Sequence, residues 1–222
     1  MQKKSTIAEE NYLKAIYKLG NFGDTKITNV TLAGFLRVNP PTALEMVRKL
    51  NGKKLLIYNK TAGISLTAKG KKIAIQTIRK HRLWEVFLSQ QLGFSWDEVH
   101  DIAEQLEHIE SKTLIERLDK FLGFPVFDPH GDPIPGSSGR MHRREGLPLS
   151  QYPKNKQLCV VGVTEHAEDF LKYLTKIGIN LGVRIKIRGV EAYDKSLSVS
   201  VAGKKTIVIS EKAAHHIMVK TA

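Results

Sequence analysis

Two stretches of this 222-residue chain carry histidines and carboxylates at one-turn spacing, HRLWEVFLSQ from His81 and EVHDIAEQLEHIE from Glu98. His81 and Glu85 are four residues apart, as are His100 and Glu104, and Glu107 and His108 follow one turn after Glu104. At about 100° per helical residue, His100, Glu104, Glu107 and His108 share one face, opposite Val99, Ile102, Ala103, Leu106 and Ile109. Imidazoles and carboxylates in such a row are either an ordinary solvated face or ligands of a divalent metal covered by another part of the chain. The spacing leaves both open.

Helices must position these groups. One is expected to run from Ala68 through the His81 segment, with more apolar residues than a single stripe, as in a helix buried on two sides. Ser95 with Glu98 reads as a capping box that starts the helix of His100 to His108. A third helix, SKTLIERLDKFLGF, ends at Gly123, and three apolar helices in succession offer a dimerisation surface. Residues 125–155 then hold six of the eight prolines and read as a linker or irregular loop, in which His130 and His142 are expected to be solvated.

The region before these helices has the spacing of a nucleic-acid reader. Thr6 and Glu9 form a capping box, and behind them Asn11 is the one polar member of an apolar helical stripe, read first as a buried amide bonded to backbone. After a turn at Gly20–Asp24 comes a short helix capped by Asn29. RVNPP makes a turn, and Pro41 opens a second helix with Leu44, Val47 and Leu50 inward. LLIYNK and GISLT then alternate around Thr61–Gly63 as a hairpin. Helix, short turn, helix and hairpin in this order describe a winged helix-turn-helix. Its second helix would offer Pro41, Thr42, Ala43 and Glu45 to base edges, with Arg37, Arg48, Lys49, Lys53, Lys54 and the wing's Lys60 positioned for phosphates.

Charge supports that division. The chain is +13 overall, with residues 1–75 at +10, residues 76–140 at −4 and residues 141–222 at +7. A polyanion partner suits the first part and a cation the second. No apolar run is long enough for a membrane helix, the polar N-terminus does not read as a signal peptide, and the single cysteine, Cys159, fits a reducing cytoplasm. From Gln157, strands LCVVGV, VRIKIRGV, SLSVSV and TIVIS surround one helix, HAEDFLKYLTKIG, and suggest a small β-barrel with Cys159 in its core. The adjacent His215 and His216 read as structural. The whole is an α+β chain, partitioned as a winged helix (1–72), a helical domain (73–124), a linker (125–156) and a barrel (157–222).

The order of a Pro-Thr-led reading helix, RKHRLWEVFL, VHDIAEQLEH and HGDPIPG resembles the iron- and manganese-dependent repressors typified by the diphtheria toxin repressor, over essentially the whole chain. That resemblance implies a cytoplasmic homodimer that takes a divalent metal as corepressor, binds palindromic operators in double-stranded DNA, and represses metal-uptake genes. The C-terminal strands would be its SH3-like domain. It implies a first metal set of His81, Glu85 and His100, which the C-terminal domain can complete near His166 and Asp169. A second set would comprise Glu104, Glu107, His108 and Asn11. Asn11 departs from the family's Met or Asp, and Lys14 from the acid of the small manganese-responsive members, so a closely spaced metal pair is not expected. Imidazoles and carboxylates without thiolate suit Mn2+ or Fe2+, with manganese slightly favoured.

Other classes remain in play. A winged-helix regulator gated by a small organic ligand would make the acidic row mere surface. A metallohydrolase would need an open coordination position and a substrate cleft, and no nucleophile or extra base stands nearby. A protein-interaction adaptor would leave the basic winged helix unexplained.

Overall fold

A capping box opens the first helix as the sequence requires. The Thr6 hydroxyl accepts from Glu9 N at 3.3 Å and the Glu9 carboxylate accepts from Thr6 N at 3.2 Å, starting α1 (Ile7–Leu19). The computed structural model describes residues 5–20, 25–143, 145–203 and 205–222, so the expected turn at Gly20–Asp24 lies, from Asn21 on, outside the described residues. Helix α2 (Asn29–Leu36) is capped by Thr28 rather than Asn29, because the Thr28 hydroxyl takes Thr31 N at 3.1 Å. Asn29 is used differently, donating from Nδ2 to the Pro40 carbonyl at 2.9 Å and so tying α2 to the start of α3 (Pro40–Gly52). Asn39 caps α3 through Thr42 N, which makes Pro40, not Pro41, the first helical residue.

The wing follows as β1 (Leu56–Asn59) and β2 (Gly63–Leu66), antiparallel, with Asn59 Oδ1 accepting from both Thr61 N and Ala62 N at 2.9 Å in the turn. Gly63 has φ +89, and a Cβ there would fall 2.7 Å from the Ile27 carbonyl oxygen, against which β2 makes a bridge at Ile64. Leu13, Leu32, Leu50, Leu56 and Ile64 form the fully buried centre of this region, joined by Ala74 and Ile78 of α4 (Ala68–Leu92). On α3 the inward stripe is Ala43, Val47 and Leu50, at four- and three-residue steps, and the expected Leu44 is only half-buried.

Helices α5 (Val99–Leu106) and α6 (Lys112–Phe121) follow α4. The Glu98 carboxylate takes Ser95 N and Oγ at 2.9 and 2.7 Å, and α5 begins directly after it. Because α5 ends at Leu106, Glu107 and His108 stand in the turn beyond it rather than on the face shared with His100 and Glu104.

Part of the segment read as a linker or irregular loop at 125–156 is buried, and His130 with it. Asp128 and the run from His130 to Pro135 are buried. Asp128 Oδ1 accepts from His130 N at 2.8 Å and Asp132 N at 2.9 Å, which satisfies backbone donors that no helix or strand would satisfy. Further on, β3 (Leu147–Pro148) pairs with the last strand, and a 3-10 turn at Leu149–Gln151 buries Leu149 completely. Proline and glycine content marked irregular backbone correctly but said nothing about its burial.

The C-terminal elements are β4 (Gln157–Val163), α7 (Glu168–Ile177), β5 (Arg184–Val190), β6 (Leu197–Val201), β7 (Lys205–Ile209), α8 (Glu211–His216) and β8 (Ile217–Thr221). They form an antiparallel six-stranded sheet in the order β3-β8-β4-β5-β6-β7, with irregular registers at Val160/Gly162 and Ile187/Gly189 that bend it. Gly178, at φ +84, closes α7 as expected. Leu171 and Leu174 of α7 and Ala213 and Ala214 of α8 pack with the inward strand residues into one core. Cys159 is not part of it; Leu158 and Val160 point inward, and strand alternation puts the thiol on the other, half-buried face.

By contacts the chain divides into two units, which differ from the linear partition read from sequence. One comprises the described residues up to His81 with Gln105–Ser111 and Pro135–Arg140. The other comprises Arg82–Glu104, Lys112–Ile134 and the described residues from Met141 on.

Candidate metal centre and nucleic-acid interface

In the second unit, Glu85, Asp128 and His130 are all buried and each directs a ligand-type atom to a common point, these atoms lying within 4.8 Å of one another. Helix α4 supplies Glu85, and the HGDP turn supplies the other two. His130 is oriented from behind: its Nε2 donates to the Trp96 carbonyl oxygen at 2.7 Å, and its Nδ1 faces Glu85 Oε1 at 3.7 Å. Arg82, also buried, braces the turn with Nε 3.4 Å from Asp128 Oδ2, a guanidinium nitrogen 2.9 Å from Asp132 Oδ2, and a hydrogen bond to the Pro133 carbonyl. Burial, reinforced by the charge of Glu85, pushes Asp128 up to about 6 against the opposing charges of Arg82 and His130. Burial also presses on the His130 imidazolium, but the nearby Glu85 carboxylate and the charge of Asp128 outweigh it and hold His130 above its ordinary range. Two buried carboxylates and an imidazole, with no thiolate among them, fit a hard divalent cation.

Of the first set expected from sequence, His81 and Glu85 stand on successive turns of α4, and His100 Nδ1 on α5 lies 3.5 Å from Glu85 Oε1. Glu85 thus serves both the expected pairing with His100 and the unforeseen one with Asp128 and His130. Sequence reasoning missed Asp128, His130, Asp132 and Arg82. The alternation Asp128-x-His130-x-Asp132 was the available signal, hidden because the segment around it read as a solvated loop. Of the two C-terminal candidates, the His166 ring lies 4.9 Å from that of His130 and its Nε2 3.9 Å from Asp132 Oδ2, whereas Asp169 is exposed in the first turn of α7.

Of the second expected set, Glu107 and His108 lie next to one another. Glu104 is half exposed and its Oε1 lies 3.6 Å from His100 Nε2. Glu107 is fully buried in the first unit, its Oε1 2.6 Å from Lys14 Nζ and its Oε2 2.7 Å from His81 Nδ1. Burial alone would raise its carboxyl, but the His81 hydrogen bond and the Lys14 charge hold it below the usual carboxylate range. His108 Nδ1 meets Glu10 Oε2 at 2.8 Å, and its Nε2 lies 3.6 Å from Glu107 Oε1. The Asn11 Oδ1 is buried with no hydrogen-bond partner among the described residues, against the expectation of an amide bonded to backbone.

On the winged helix, Arg37, Pro41, Thr42, Glu45, Arg48, Lys49 and Lys60 are exposed. Ala43 is not available to a base edge; it has no exposed surface, because three-and-a-half-residue periodicity places it with Val47 and Leu50 in the core. Lys49 and Lys53 are also shared with α1, where the fully buried Glu9 lies 3.1 Å from Lys49 Nζ and 2.7 Å from Lys53 Nζ.

A basic winged helix-turn-helix and a buried imidazole–carboxylate cluster in one chain define a DNA-binding regulator that responds to a metal ion. Residues 5–64 match the N-terminal DNA-binding domain of iron-dependent repressors, residues 67–136 their metal-binding and dimerisation domain, and residues 147–221 the FeoA domain. The iron-dependent repressor IdeR of Mycobacterium leprae is 29% identical over 223 residues, covering 95% of this chain and 96% of its own. A manganese-dependent transcriptional repressor in complex with manganese is 34% identical, with a TM-score of 0.85 over 96% of this chain and 100% of that one. ScaR with bound Zn2+ is 36% identical, with a TM-score of 0.78 over 96% of this chain and 99% of its own. The chain belongs to the iron-dependent repressor family. It is a metal-dependent, DNA-binding transcriptional repressor with a dimerisation domain, and not an enzyme. Among the described residues no helix is long and apolar enough to cross a membrane.

Proposed function

We propose that this chain senses Mn2+ or Fe2+ in the cytoplasm, with manganese favoured, and represses metal-uptake genes as a homodimer on a palindromic operator. The observation that carries this reading is the buried convergence of Glu85, Asp128 and His130. His81 and His100 complete the ligand set, the first as the neighbour of Glu85 one turn earlier on α4 and the second through its 3.5 Å approach to Glu85. His166 stands behind His130, and Glu104 stands at the rim with His100. When bound, the ion supplies the positive charge that lets these carboxylates remain ionised while buried. A set of imidazoles and carboxylates without thiolate suits manganese or iron(II) better than softer ions, while relatives of this chain are described with Mn2+ and with Zn2+ bound.

Exposed Leu92, Phe121 and Phe124 of the helical region suit the dimer contact. On DNA, Pro41, Thr42 and Glu45 would face base edges, while Arg37, Arg48, Lys49 and Lys60 hold phosphates. For metal to act as corepressor it must bind the DNA-competent arrangement more tightly, and operator DNA must then raise metal affinity by the same factor, typically about 5–150-fold.

The test is operator binding to the promoter region of the chain's own gene or a neighbouring transporter gene, followed by fluorescence anisotropy. Mn2+, Fe2+ and Zn2+ are titrated against a chelator. Binding should need metal and be reversed by the chelator. Tight, chelator-insensitive binding would instead favour a regulator gated by an organic ligand.

A further inference from the structure

Glu107 and His108 have the residue types of a second metal set, but their polar atoms are engaged within the chain. Lys14 is only 7% exposed, so its ammonium is held inside the protein rather than at the surface, 2.6 Å from Glu107 Oε1. The same oxygen lies 3.6 Å from His108 Nε2. A buried carboxylate oxygen flanked by an imidazole is where a divalent ion would gain most, and here a lysine nitrogen stands against it. The other oxygen, Oε2, lies 2.7 Å from His81 Nδ1, so Nε2 is the His81 nitrogen on the opposite side of the ring from Glu107. A carboxylate on the far nitrogen is the usual means of fixing the orientation of a ligating imidazole.

We propose that Glu107 is a positioning residue for His81 rather than a metal ligand, and that Lys14 is a tethered cation that takes the place of a second metal. The inference rests on the reading of His81 as a ligand. A covalently attached ammonium neutralises Glu107 at every metal concentration, so metal dependence is concentrated at the Glu85 centre. Lys14 and Glu10 both lie on α1, and the residue beside Glu10, Glu9, grips Lys49 and Lys53 of the reading helix and its C-terminal cap. The tethered cation therefore also anchors the helix that braces α3. Asn11, one turn before Lys14, carries the buried oxygen without a hydrogen-bond partner among the described residues. It is neutral, and beside a fixed lysine it is a poor ligand for a second ion.

Mn2+ equivalents per chain, counted by electron paramagnetic resonance of bound and free ion, separate these roles in the full-length protein. Glu107→Gln should keep the wild-type number of equivalents and bind them roughly 10–100-fold more weakly, as expected for loss of an outer partner. Lys14→Met should gain one equivalent, and Lys14→Arg should not. Asn11→Asp, which adds a carboxylate while Lys14 remains, should also leave the number unchanged, and it serves if Glu107→Gln fails to fold. Loss of an equivalent in Glu107→Gln would make Glu107 a ligand and overturn the proposal, as would an unchanged count in Lys14→Met or a gain in Asn11→Asp. A wild-type chain that binds no Mn2+ would instead overturn the metal-sensing reading beneath it.

Discussion

His130 Nε2 lies 2.7 Å from the backbone carbonyl oxygen of Trp96, and since a carbonyl only accepts, that nitrogen carries a proton. The ring is thereby turned so that Nδ1 faces Glu85. Trp96 is itself pinned by its indole N–H, which donates to Thr175 Oγ1 of α7 at 2.9 Å, and by burial in the core of the sheet. The orientation of a candidate ligand thus depends on a tryptophan thirty-four residues earlier in the chain.

Replacing this imidazole tests the centre. His130→Ala should abolish Mn2+-stimulated operator binding and cost more than the roughly 100-fold upper range of an outer-partner loss, with the dimer still folded by circular dichroism and gel filtration. Retained stimulation would remove His130 from the ligand set.

The pH dependence follows from Asp128. Its carboxyl is raised from 3.8 to about 6 in the folded chain, so without metal the fold prefers the protonated form. Its stabilising contribution is therefore full below the unfolded value of 3.8 and is lost as pH rises through about 6. Metal needs the carboxylate, and it needs His130 without a proton on Nδ1, so protons compete with the ion. The rise in melting temperature on adding Mn2+ should be small near about pH 5 and larger near about pH 7.5. Equal rises at both would show that neither group binds the ion.

Gly131 holds the HGDP turn in a conformation open to glycine. Its φ is +81, and a Cβ would fall 2.1 Å from the Val161 carbonyl oxygen and 2.5 Å from Gly162 Cα, both backbone atoms. Gly131→Ala should cost about 3 kcal/mol in chemical denaturation and weaken metal binding through its neighbours. Gly182→Ala is the control, since Gly182 has φ +79 with nothing within 4 Å of its Cβ position, and about 1 kcal/mol is expected.

On the reading helix, Arg48 and Ala43 should behave oppositely. Arg48 is exposed, and Arg48→Ala should weaken binding to all DNA sequences and reduce the salt slope by about one unit if it touches phosphate. Ala43 is buried, so Ala43→Leu should cost about 1–3 kcal/mol of stability by overpacking. A change in base preference without loss of stability would return Ala43 to the DNA surface.

How much of this was legible in the sequence depended on the range of the interactions involved. Caps and turns are set by residues within four positions of one another, so Thr6–Glu9, Ser95–Glu98 and Gly178 could be read directly. Alternation in LCVVGV and SLSVSV exposed the strands for the same reason. Periodicity was less decisive for α3, where Ala43 and Leu44 are both apolar and only packing shows which one turns inward. It also failed at Glu107, because the row of polar residues continues past Leu106 while the helix does not.

By itself, then, the sequence determined the order of elements, the winged reading unit, and the imidazole and carboxylate types from which a metal centre is made. Only the tertiary structure decided which of those groups meet. It brought Asp128 and His130 from a proline-rich segment to Glu85, and placed Lys14, 93 residues earlier in the chain, against Glu107. The reason is physical: a buried charge must find a partner, and that partner is chosen by proximity in space, which spacing along the chain does not encode.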